Sequence, residues 1–497
     1  MVAADALQGR ERGGVMGSRW LEVSGTEMAR AIAAGEVRSR EVVDAHIARI
    51  MQVNPKIHAM VADRFEAARA EADAADAAVA AGGPLPPLHG VPVTIKESFE
   101  VVGMPNTGGS HARRGIVATR DAPTVARLRA AGAIVVGVTN LSELCMWMES
   151  ANPVYGRTGN AYDPRWIAGG SSGGEGAIVG AGGSVFGLGA DVGGSIRLPA
   201  FFNGVFGHKA TPGLIPNSGQ FPAVDPEGAF MLATGPIARR AVDLPLLVRL
   251  LAGPDGEDPF CRPIPFGDPA AVDLAGLNVL DVPGDGVTAV DAALIAAQGR
   301  AAGALTAAGA RVRVRHFGRL RHAFDMWTAS MSGGNERGSY RKLLGVSAWR
   351  ELVPHLARPW EIGGTYTLPS VILGLVEDVG HVFSGQARYA RALGAALREE
   401  LIDAIGDGVM LYPTWRAPAP RHGGPLLRPL SWVYTAAFNA LGLPVTQVPL
   451  GLDALGRPTG VQVVTRPGND ATSIAVAIEL ERRLGGWVPP WTAAVSV

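Results

Sequence analysis

GGSSGGEGAIVGAGGSVFGLGADVGGSIRLP, at residues 169–199, is the stretch of this sequence on which the interpretation of the whole chain depends. It holds twelve glycines and four serines in 31 residues, and its only charged side chains are Glu175, Asp191 and Arg197. Glycine lets a backbone approach a ligand closely and adopt conformations that other residues avoid. Such a composition suits a phosphate-binding loop, a membrane segment, a flexible linker, or a catalytic site built largely from backbone.

The glycine spacing argues against nucleotide phosphate binding. A dinucleotide fingerprint requires G-x-G-x-x-G, whereas the run from Gly187 through Gly189 reaches its third glycine, Gly193, one residue late. The Walker sequence G-K-[ST] is also absent from the segment. Glycines that cradle phosphate must lie at defined offsets before a helix N-terminus. The sequence therefore predicts no nucleotide cofactor here.

The chain as a whole shows no membrane-spanning pattern. No run of 18 apolar residues occurs, and the charge-free, glycine-rich stretch 176–190 is too short and flexible to cross a bilayer. The first residues carry charges where a signal peptide needs an apolar core. Cys145 and Cys261 are the only cysteines, which suits a reducing compartment. We expect a cytoplasmic protein with no integral membrane segment.

The composition predicts a large core and a weakly charged ligand. Apolar residues make up 47% of 497, enough for one big domain or for two to three ordinary ones. Lys and Arg total 45, as do Asp and Glu, so no global field attracts nucleic acid or anionic lipid. We expect a small-molecule substrate and no nucleic-acid partner. The sequence leaves the oligomeric state open.

Local patterns along the chain alternate between helix and strand. Ser24 and Glu27 fit a capping box, Ser39 fits the cap of a second helix that ends before Pro55, and residues 65–81 fit a third helix. Strands are predicted at 91–95, 133–139, 277–283, 310–317, 408–414, 445–451 and 460–465. This alternation indicates an α/β protein with a mixed sheet covered by helices. We expect an N-terminal extension at 1–20 and one domain over 21–497, with its core at about 85–240 and a surface excursion at about 252–269.

Taken alone, the opening stretch leaves two further interpretations. The run Gly170-Ser171-Ser172-Gly173-Gly174 satisfies G-x-S-x-G, the nucleophile elbow of α/β-hydrolases, with Ser172 as nucleophile. That elbow needs a strand immediately before the serine, and PRWIAGG supplies at best a short one. A glycine-rich structural turn without chemistry fits the composition equally well.

Motifs outside the stretch separate these alternatives. GGSSGG begins 24 residues before GGSIR, and VPVTIKES places Lys96 at the end of a predicted strand. FFNGVFGHKATPG (201–213), GLPVTQVPLG (442–451) and GRPTGVQVV (456–464) follow. This combination resembles the amidase signature family over about residues 20–485. The resemblance implies an amidase signature fold, in which a large mixed β-sheet is covered on both sides by α-helices.

The resemblance also implies roles for matching residues. It assigns Ser195 as nucleophile, Ser171 as the bridging serine held after a cis peptide bond, and Lys96 as the base, with Ser172 orienting Ser171 or Lys96. Amide hydrolysis needs one relay that removes a proton from the nucleophile and returns it to the leaving amine. Burial disfavours the charged form of a lysine, so a buried Lys96 suits that relay.

The glycines then acquire a role in stabilising the oxyanion. Residues without side chains at Gly193 and Gly194 let the backbone N–H groups of Val192, Gly193, Gly194 and Ser195 face the developing charge. Losing one such donor typically lowers the rate by about 10²- to 10³-fold. Asp191 and Arg197 are interpreted as a structural ion pair that shapes the loop, and Lys209 as a structural lysine.

The remaining site predictions concern the substrate. Met146 and Trp147, in the thioether- and indole-containing run CMWMES, are predicted to wall an apolar pocket, although core packing fits them about as well. Tyr155 and Trp432 are candidates for its entrance. No H-E-x-x-H or paired C-x-x-C motif occurs, so we expect neither a metal nor a cofactor.

The function implied is hydrolysis of a carbon–nitrogen bond. The residues of 201–213 and of SSGGEGA resemble the fatty acid amide hydrolase branch, which implies uncharged, apolar acyl amides or anilides as substrates. Carbamates share the planar N–C=O centre and esters are easier to cleave, so carbamate or ester hydrolysis is an alternative. A glutamine-amidase subunit of an amidotransferase complex is the other alternative, and the 201–213 stretch argues against it.

Overall fold

Thirteen strands and fifteen α-helices make up the computed structural model, which describes residues 19–223, 228–331, 339–357, 364–376 and 384–492. The strands are β1 (Met60–Asp63), β2 (Pro92–Lys96), β3 (Ile134–Thr139), β4 (Ala151–Asn152), β5 (Gly156–Arg157), β6 (Phe186–Asp191), β7 (Phe206–Lys209), β8 (Ala233–Ala238), β9 (Asn278–Asp281), β10 (Arg311–Val314), β11 (Val409–Tyr412), β12 (Val445–Leu452) and β13 (Pro458–Val464).

The helices alternate with these strands along most of the chain. They are α1 (Gly25–Ala33), α2 (Ser39–Ile57), α3 (Phe65–Ala81), α4 (Pro123–Ala130), α5 (Gly173–Gly180), α6 (Arg197–Phe202), α7 (Leu244–Leu251), α8 (Ala292–Ala307), α9 (Ala323–Met331), α10 (Tyr340–Leu344), α11 (Leu368–Val376), α12 (Ser384–Ile405), α13 (Gly424–Leu427), α14 (Val433–Ala440) and α15 (Asp470–Leu484). None of the helices in the described ranges is long and apolar enough to cross a bilayer.

Eleven strands form one mixed sheet in the order β1-β3-β2-β6-β8-β7-β12-β13-β11-β9-β10. The pairs β3/β2, β2/β6, β11/β9 and β9/β10 are parallel, and the other neighbours are antiparallel. The strands β2, β3, β6, β7, β8, β11 and β13 are buried along their whole length. Strands buried on both faces need helices on both sides, as the sequence analysis predicted.

Alternate residues of β3 reach two different hydrophobic clusters. Val135 packs with apolar residues of α1, α4 and α7, whereas Ile134 and Val136 pack with those of α2, α3 and α5. Successive side chains of a strand point to opposite faces, so these clusters lie on the two sides of the sheet. The α/β prediction is confirmed, with helices covering both faces.

The N-terminal helices agree with the sequence analysis in part. The Ser24 side chain accepts the Glu27 N–H and caps α1, and α3 spans the predicted 65–81. The prediction for α2 was wrong at both ends, since Ser39 is already helical and the helix continues through Pro55 to Ile57. Asp76 of α3 accepts the N–H groups of Ser39 and Arg40, so the start of α2 is capped from another helix.

The glycine-rich stretch contains two regular elements, the buried helix α5 and the buried strand β6. Neither was predicted, because glycine lowers the local propensity for both structures. Glycine is required at Gly187, where an added Cβ would overlap the Glu175 carboxylate.

The predicted surface excursion at 252–269 contains no strand or helix before the short turn at Pro269–Ala271. Residues 1–18 of the predicted extension lie outside the described residues.

Candidate active site

Lys96 and Ser171 are joined by a short hydrogen bond in the buried interior of the protein. Lys96 is the last residue of β2, and its Nζ lies 2.7 Å from Ser171 Oγ. Ser171 is 1% exposed and Lys96 is fully buried. The predicted cis peptide bond is present between Gly170 and Ser171. The structure thus brings the predicted base and bridging serine into direct contact across 75 residues of chain.

The backbone of Ser171 is held by the loop that follows β3. Its carbonyl accepts hydrogen bonds from Ser142 N–H at 3.2 Å and from Ser150 Oγ at 3.1 Å. Ser150 Oγ also accepts the Gly173 N–H, the first N–H of α5. Ser171 therefore lies between the end of β2 and the start of α5, with its position set by three elements.

Ser195 lies two residues before α6 and beside Ser172, the neighbour of Ser171 in the chain. Its carbonyl accepts the Ser172 N–H at 3.2 Å, so the two ends of the glycine-rich stretch are adjacent. Ser195 is 7% exposed, and its hydroxyl has no hydrogen-bond partner among the described residues. The most accessible of the three side chains is therefore the predicted nucleophile.

Ser172 occupies a different environment from its neighbour. It is fully buried, and the hydrogen bond that its Oγ donates goes to the Ala190 carbonyl of β6 at 3.4 Å. Residues 164–170, described throughout, contain no strand, which the nucleophile-elbow interpretation requires. The contact of Ser172 is with the strand leading to the predicted oxyanion loop rather than with Ser171 or Lys96.

The Asp191 carboxylate holds the loop between β6 and α6. It accepts the N–H groups of Gly194 at 2.7 Å and Ile196 at 3.1 Å, and it pairs with Arg197 at 2.9 Å. Both charged side chains are fully buried. Burial would raise the pKa of Asp191, but the charges of Arg197 and Lys209 hold it well below its usual range. The interpretation of Asp191 and Arg197 as a structural ion pair is confirmed.

Gly194 differs from the sequence prediction in one respect. Its N–H donates to Asp191, so this group is already engaged and does not face a substrate in this structure. Gly193 and Ser195 have no partner for their N–H groups among the described residues. Gly194 is nevertheless required to be glycine, because its φ is +126° and an added Cβ would overlap the Thr435 hydroxyl.

Comparison of the sequence with known protein families identifies the family of this chain. A family model described as Amidase matches residues 41–474. The chain belongs to the amidase family. It is an amide-hydrolysing enzyme, and its α/β fold with a large mixed sheet is that of solved members of this family.

The amidase resembles two curated proteins over nearly its full length. It is 43% identical to fatty-acid amide hydrolase 2 of Homo sapiens over 493 residues, which cover 95% of this chain and 90% of that protein. It is 33% identical to a subunit of the glutamyl-tRNA(Gln) amidotransferase of Anaeromyxobacter dehalogenans (strain 2CP-C) over 475 residues, covering 92% and 96%.

A solved structure of fatty acid amide hydrolase shares the fold of this amidase. The TM-score is 0.81 at 24% sequence identity, with 98% of this chain and 89% of that chain covered. At this identity the likeness shows the fold alone. The fold-class prediction and the resemblance to the amidase signature family are confirmed.

Glu175 is a buried group of the amidase site that the sequence analysis left without a role. Its carboxylate accepts hydrogen bonds from Thr94 of β2 at 2.7 Å and from Thr139 of β3 at 2.8 Å. Burial raises the pKa of Glu175 to about 7, although the two threonines and the charge of Lys96 act in the opposite direction. Glu175 thereby ties α5, which follows Ser171, to the strand that carries Lys96. Local sequence patterns do not show that the fold brings Glu175 within the electrostatic influence of Lys96, so the sequence analysis gave this residue no role.

An aromatic wall covers the loop before the nucleophile. Trp327 of α9 crosses Trp432 with ring centroids 4.6 Å apart, and Phe324 approaches Trp432 at 6.4 Å. An added Cβ at Gly193 would lie 3.1 Å from the Trp432 ring and 3.3 Å from Trp327 Nε1. Trp432 was a predicted entrance residue, whereas Trp327, 135 residues from Val192, had no local signal.

The other predicted substrate-binding residues lie in different surroundings. Trp147 packs on a cluster that includes Leu198 and Phe201, two residues of α6, the helix that follows Ser195. Tyr155 is half-buried, and its hydroxyl donates to Glu97 at 2.7 Å, next to Lys96 in the chain. Burial and the Glu97 charge raise the pKa of Tyr155 above its usual range. Met146, which precedes Trp147 in the chain, is also half-buried. Their contact with substrate remains a prediction.

A second buried lysine does not touch the serines. Lys209 donates to the Leu443 carbonyl at 2.9 Å, and burial together with the Arg197 charge lowers its pKa to about 7. Its contacts are with backbone, as expected for a structural lysine.

In the described ranges of the chain, no three His, Cys, Asp or Glu side chains are grouped to hold a metal ion.

Proposed function

We propose that this amidase is a serine hydrolase that cleaves uncharged, apolar acyl amides or anilides through an acyl-enzyme, with Lys96, Ser171 and Ser195 as its triad. The observation that supports it most is the 2.7 Å contact between Lys96 Nζ and Ser171 Oγ inside a fully buried core. A solvated strand-end lysine would not need a serine partner at that distance. We assign Ser195 as the third member, because its carbonyl accepts the N–H of Ser172, the residue that follows Ser171.

The proposed relay moves one proton in each direction. Neutral Lys96 accepts the Ser171 proton, Ser171 accepts the Ser195 proton, and Ser195 Oγ forms a bond to the substrate carbonyl carbon. The proton then returns through the same groups to the nitrogen as the C–N bond breaks. Water repeats the sequence on the acyl-enzyme and releases the acid. The free Ser195 hydroxyl of the structure must rotate toward Ser171 when substrate binds, as catalytic contacts often tighten on binding.

The negative charge of the tetrahedral intermediate falls on the substrate oxygen near the β6–α6 loop. The N–H groups of Gly193 and Ser195, which lack other partners among the described residues, are the donors that best suit it, and Val192 is a further candidate. The buried Asp191–Arg197 pair keeps this loop in place without adding net charge. A pre-formed, water-poor donor set of this kind is what stabilises an oxyanion most strongly.

The surroundings of Ser195 favour an apolar substrate. Trp327 and Trp432 lie over Gly193, and Trp147 packs on the cluster beside α6. Large aromatic surfaces gain stability by removing apolar groups from water. The relative at 43% identity is named fatty-acid amide hydrolase 2, which agrees with this choice.

Two alternatives use the same catalytic groups. Carbamates and esters present the same planar carbonyl to Ser195, so their hydrolysis is the first alternative. The 33% identity to an amidotransferase component makes glutamine the second. A panel of primary amides, anilides, carbamates, esters and glutamine, assayed with the chain alone, separates them by relative kcat/KM.

The triad is tested with substitutions that remove single functional groups. We expect Ser195→Ala and Lys96→Ala each to abolish hydrolysis of an acyl anilide, because the relay loses its nucleophile or its base. Ser184→Ala is the matched serine control, since Ser184 lies in the same stretch but its hydroxyl bonds the Phe186 carbonyl. Lys56→Ala, at an exposed position, is the lysine control. Full activity in either triad variant would contradict the mechanism.

A covalent probe locates the nucleophile independently. A fluorophosphonate should form one adduct, and peptide mass spectrometry should place it on Ser195. An adduct on Ser172 would favour the nucleophile-elbow interpretation instead. Labelling that Lys96→Ala leaves unchanged in rate would show that the lysine does not activate the serine.

A further inference from the structure

Three consecutive carbonyl groups before Ser195 are each held by a side chain. Asn439 Nδ2 donates to the Asp191 carbonyl at 3.0 Å. The single Thr435 hydroxyl hydrogen is shared between the Gly193 carbonyl at 2.7 Å and the Trp432 carbonyl at 2.8 Å. Between them, Trp327 Nε1 donates to the Val192 carbonyl at 2.8 Å. Asn439 and Thr435 belong to α14, whereas Trp327 comes from α9. The three peptide planes that follow Asp191, Val192 and Gly193 are therefore each contacted by a different side chain.

Anchoring a carbonyl also orients the N–H of the next residue. A trans peptide is planar, with its C=O and N–H pointing in opposite directions, and the peptide bonds of this loop are trans. The Trp327 bond thus directs the Gly193 N–H away from α9. The peptide between Gly193 and Gly194 shows this arrangement. Its carbonyl contacts the Thr435 hydroxyl, and its N–H, on the opposite side, donates to Asp191.

We propose that Trp327 is a positioning residue for the oxyanion site, which it serves by fixing the plane that carries the Gly193 N–H. This inference rests on the proposed function. Gly193 has no side chain to restrict its backbone, and its N–H has no partner among the described residues, so the indole bond is what sets the direction of this donor. A donor set in place before the reaction costs no reorganisation when charge develops.

This role differs from that of an apolar wall. The ring face of Trp327 contacts Trp432, and a phenyl ring could supply most of that apolar surface. The indole N–H instead is aimed at the backbone of the loop. Removing the N–H while keeping the ring should therefore affect the transition state more than substrate binding.

The test compares the enzyme with two Trp327 variants in acyl anilide hydrolysis. Trp327→Phe removes the donor, and replacement of Trp327 by 3-benzothienylalanine keeps the bicyclic shape with sulfur in place of N–H. We expect kcat to fall about 5- to 30-fold in both, with KM changed by less than about threefold, since one hydrogen bond to a catalytic donor is lost. Trp349→Phe, at a half-exposed site on another segment, should leave kcat unchanged.

Inhibitor binding gives a second measurement. A trifluoromethyl ketone analogue of the substrate forms an oxyanion on Ser195, whereas the matching alcohol does not. Both Trp327 variants should bind the ketone more weakly by the same factor as the fall in kcat, and should bind the alcohol as the wild type does.

Two results would overturn the inference. If the benzothienyl variant keeps the wild-type kcat, or if KM and alcohol binding change while kcat does not, Trp327 is only part of the substrate wall. Those results leave the proposed function standing, because the wild type still hydrolyses the anilide. If the wild type is inactive toward the whole amide panel, the proposed function fails and the inference fails with it. Equal melting temperatures for all variants show that kcat reports the site.

Discussion

Buried charged residues define the site at the scale of single side chains. Asp191, Arg197, Glu175 and Lys96 all lie in or beside the glycine-rich stretch and are fully buried. Each has a partner: Arg197 reaches Asp191, Gln462 and the Thr435 carbonyl, while Glu175 is bonded by two threonines. A buried charge without partners is costly, so these contacts are conditions of folding as well as of chemistry.

Glu175 makes the stability of the fold depend on pH. Its pKa rises from 4.5 to about 7 because burial disfavours the carboxylate. Between these values the folded chain keeps a proton that the unfolded chain releases, so stability falls as pH increases. We expect the free energy of unfolding of the wild type, relative to Glu175→Gln, to drop by up to about 3 kcal/mol across this window.

Urea unfolding of both proteins from pH 4.5 to just above pH 7 checks this expectation. Groups other than residue 175 titrate equally in the two proteins and cancel in the difference. A difference that stays constant over the window would mean that Glu175 is ionised in the folded state throughout it.

Helix ends in this protein depend on other elements. Ser39 looked like a cap in sequence, yet α2 starts at Ser39 and receives its cap from Asp76 on α3. At the other end, α2 continues past Pro55 to Ile57. His58 then adopts a left-handed conformation with φ of +48°, and its N–H donates to the Asn54 carbonyl. Local motifs identify that a helix exists, but packing decides where it begins and ends.

The contribution of the Asp76 cap can be measured with a neighbouring aspartate as control. Asp76→Ala leaves two N–H groups of α2 without an acceptor, and we expect the free energy of unfolding to fall by about 0.5–2 kcal/mol. Asp73, also on α3, forms an exposed ion pair with Arg40, so Asp73→Ala should cost about 0–1 kcal/mol. Chemical denaturation gives both values. A larger loss for Asp73→Ala would mean that the ion pair, not the cap, joins these helices.

At the scale of the molecule, the sheet order gathers distant segments at one place. The site takes Lys96 from β2, the serines from the stretch around α5 and β6, and anchors from α9 and α14. The C-terminal strands β12 and β13 lie inside the sheet, between β7 and β11. The site therefore forms only when both ends of the chain are folded together.

A truncated chain tests this dependence. Residues 1–442 alone lack β12, β13 and α15, so the sheet would split between β7 and β11 and expose buried valines of both parts. We expect no cooperative thermal transition and no anilide hydrolysis, because the lost apolar contacts belong to the central core. Co-expression of residues 443–497 should restore part of both properties. A cooperative transition in the truncated chain would show that the remaining strands fold independently.

Much of the fold was predictable because its patterns are local. The helix at 65–81 and the strands around 93, 136 and 447 follow from alanine content or runs of β-branched residues. The helix α5 and strand β6 were missed because their glycines, at Gly174 and Gly187 among others, serve close packing that only the folded chain reveals. Trp327 was missed for the same reason, since its contact spans 135 residues.

The sequence by itself determined the family and the fold class, because motifs such as GGSSGG and GGSIR lie at the spacing typical of that family. It also predicted the candidate triad, which remains a proposal. Only the tertiary structure decided which groups touch. It placed Lys96 against Ser171, gave the Gly194 N–H to Asp191 rather than to a substrate, and set Trp327 on the Val192 carbonyl. Those outcomes depend on distances between segments far apart in the chain, which the packing of helices on the sheet establishes and no local pattern encodes.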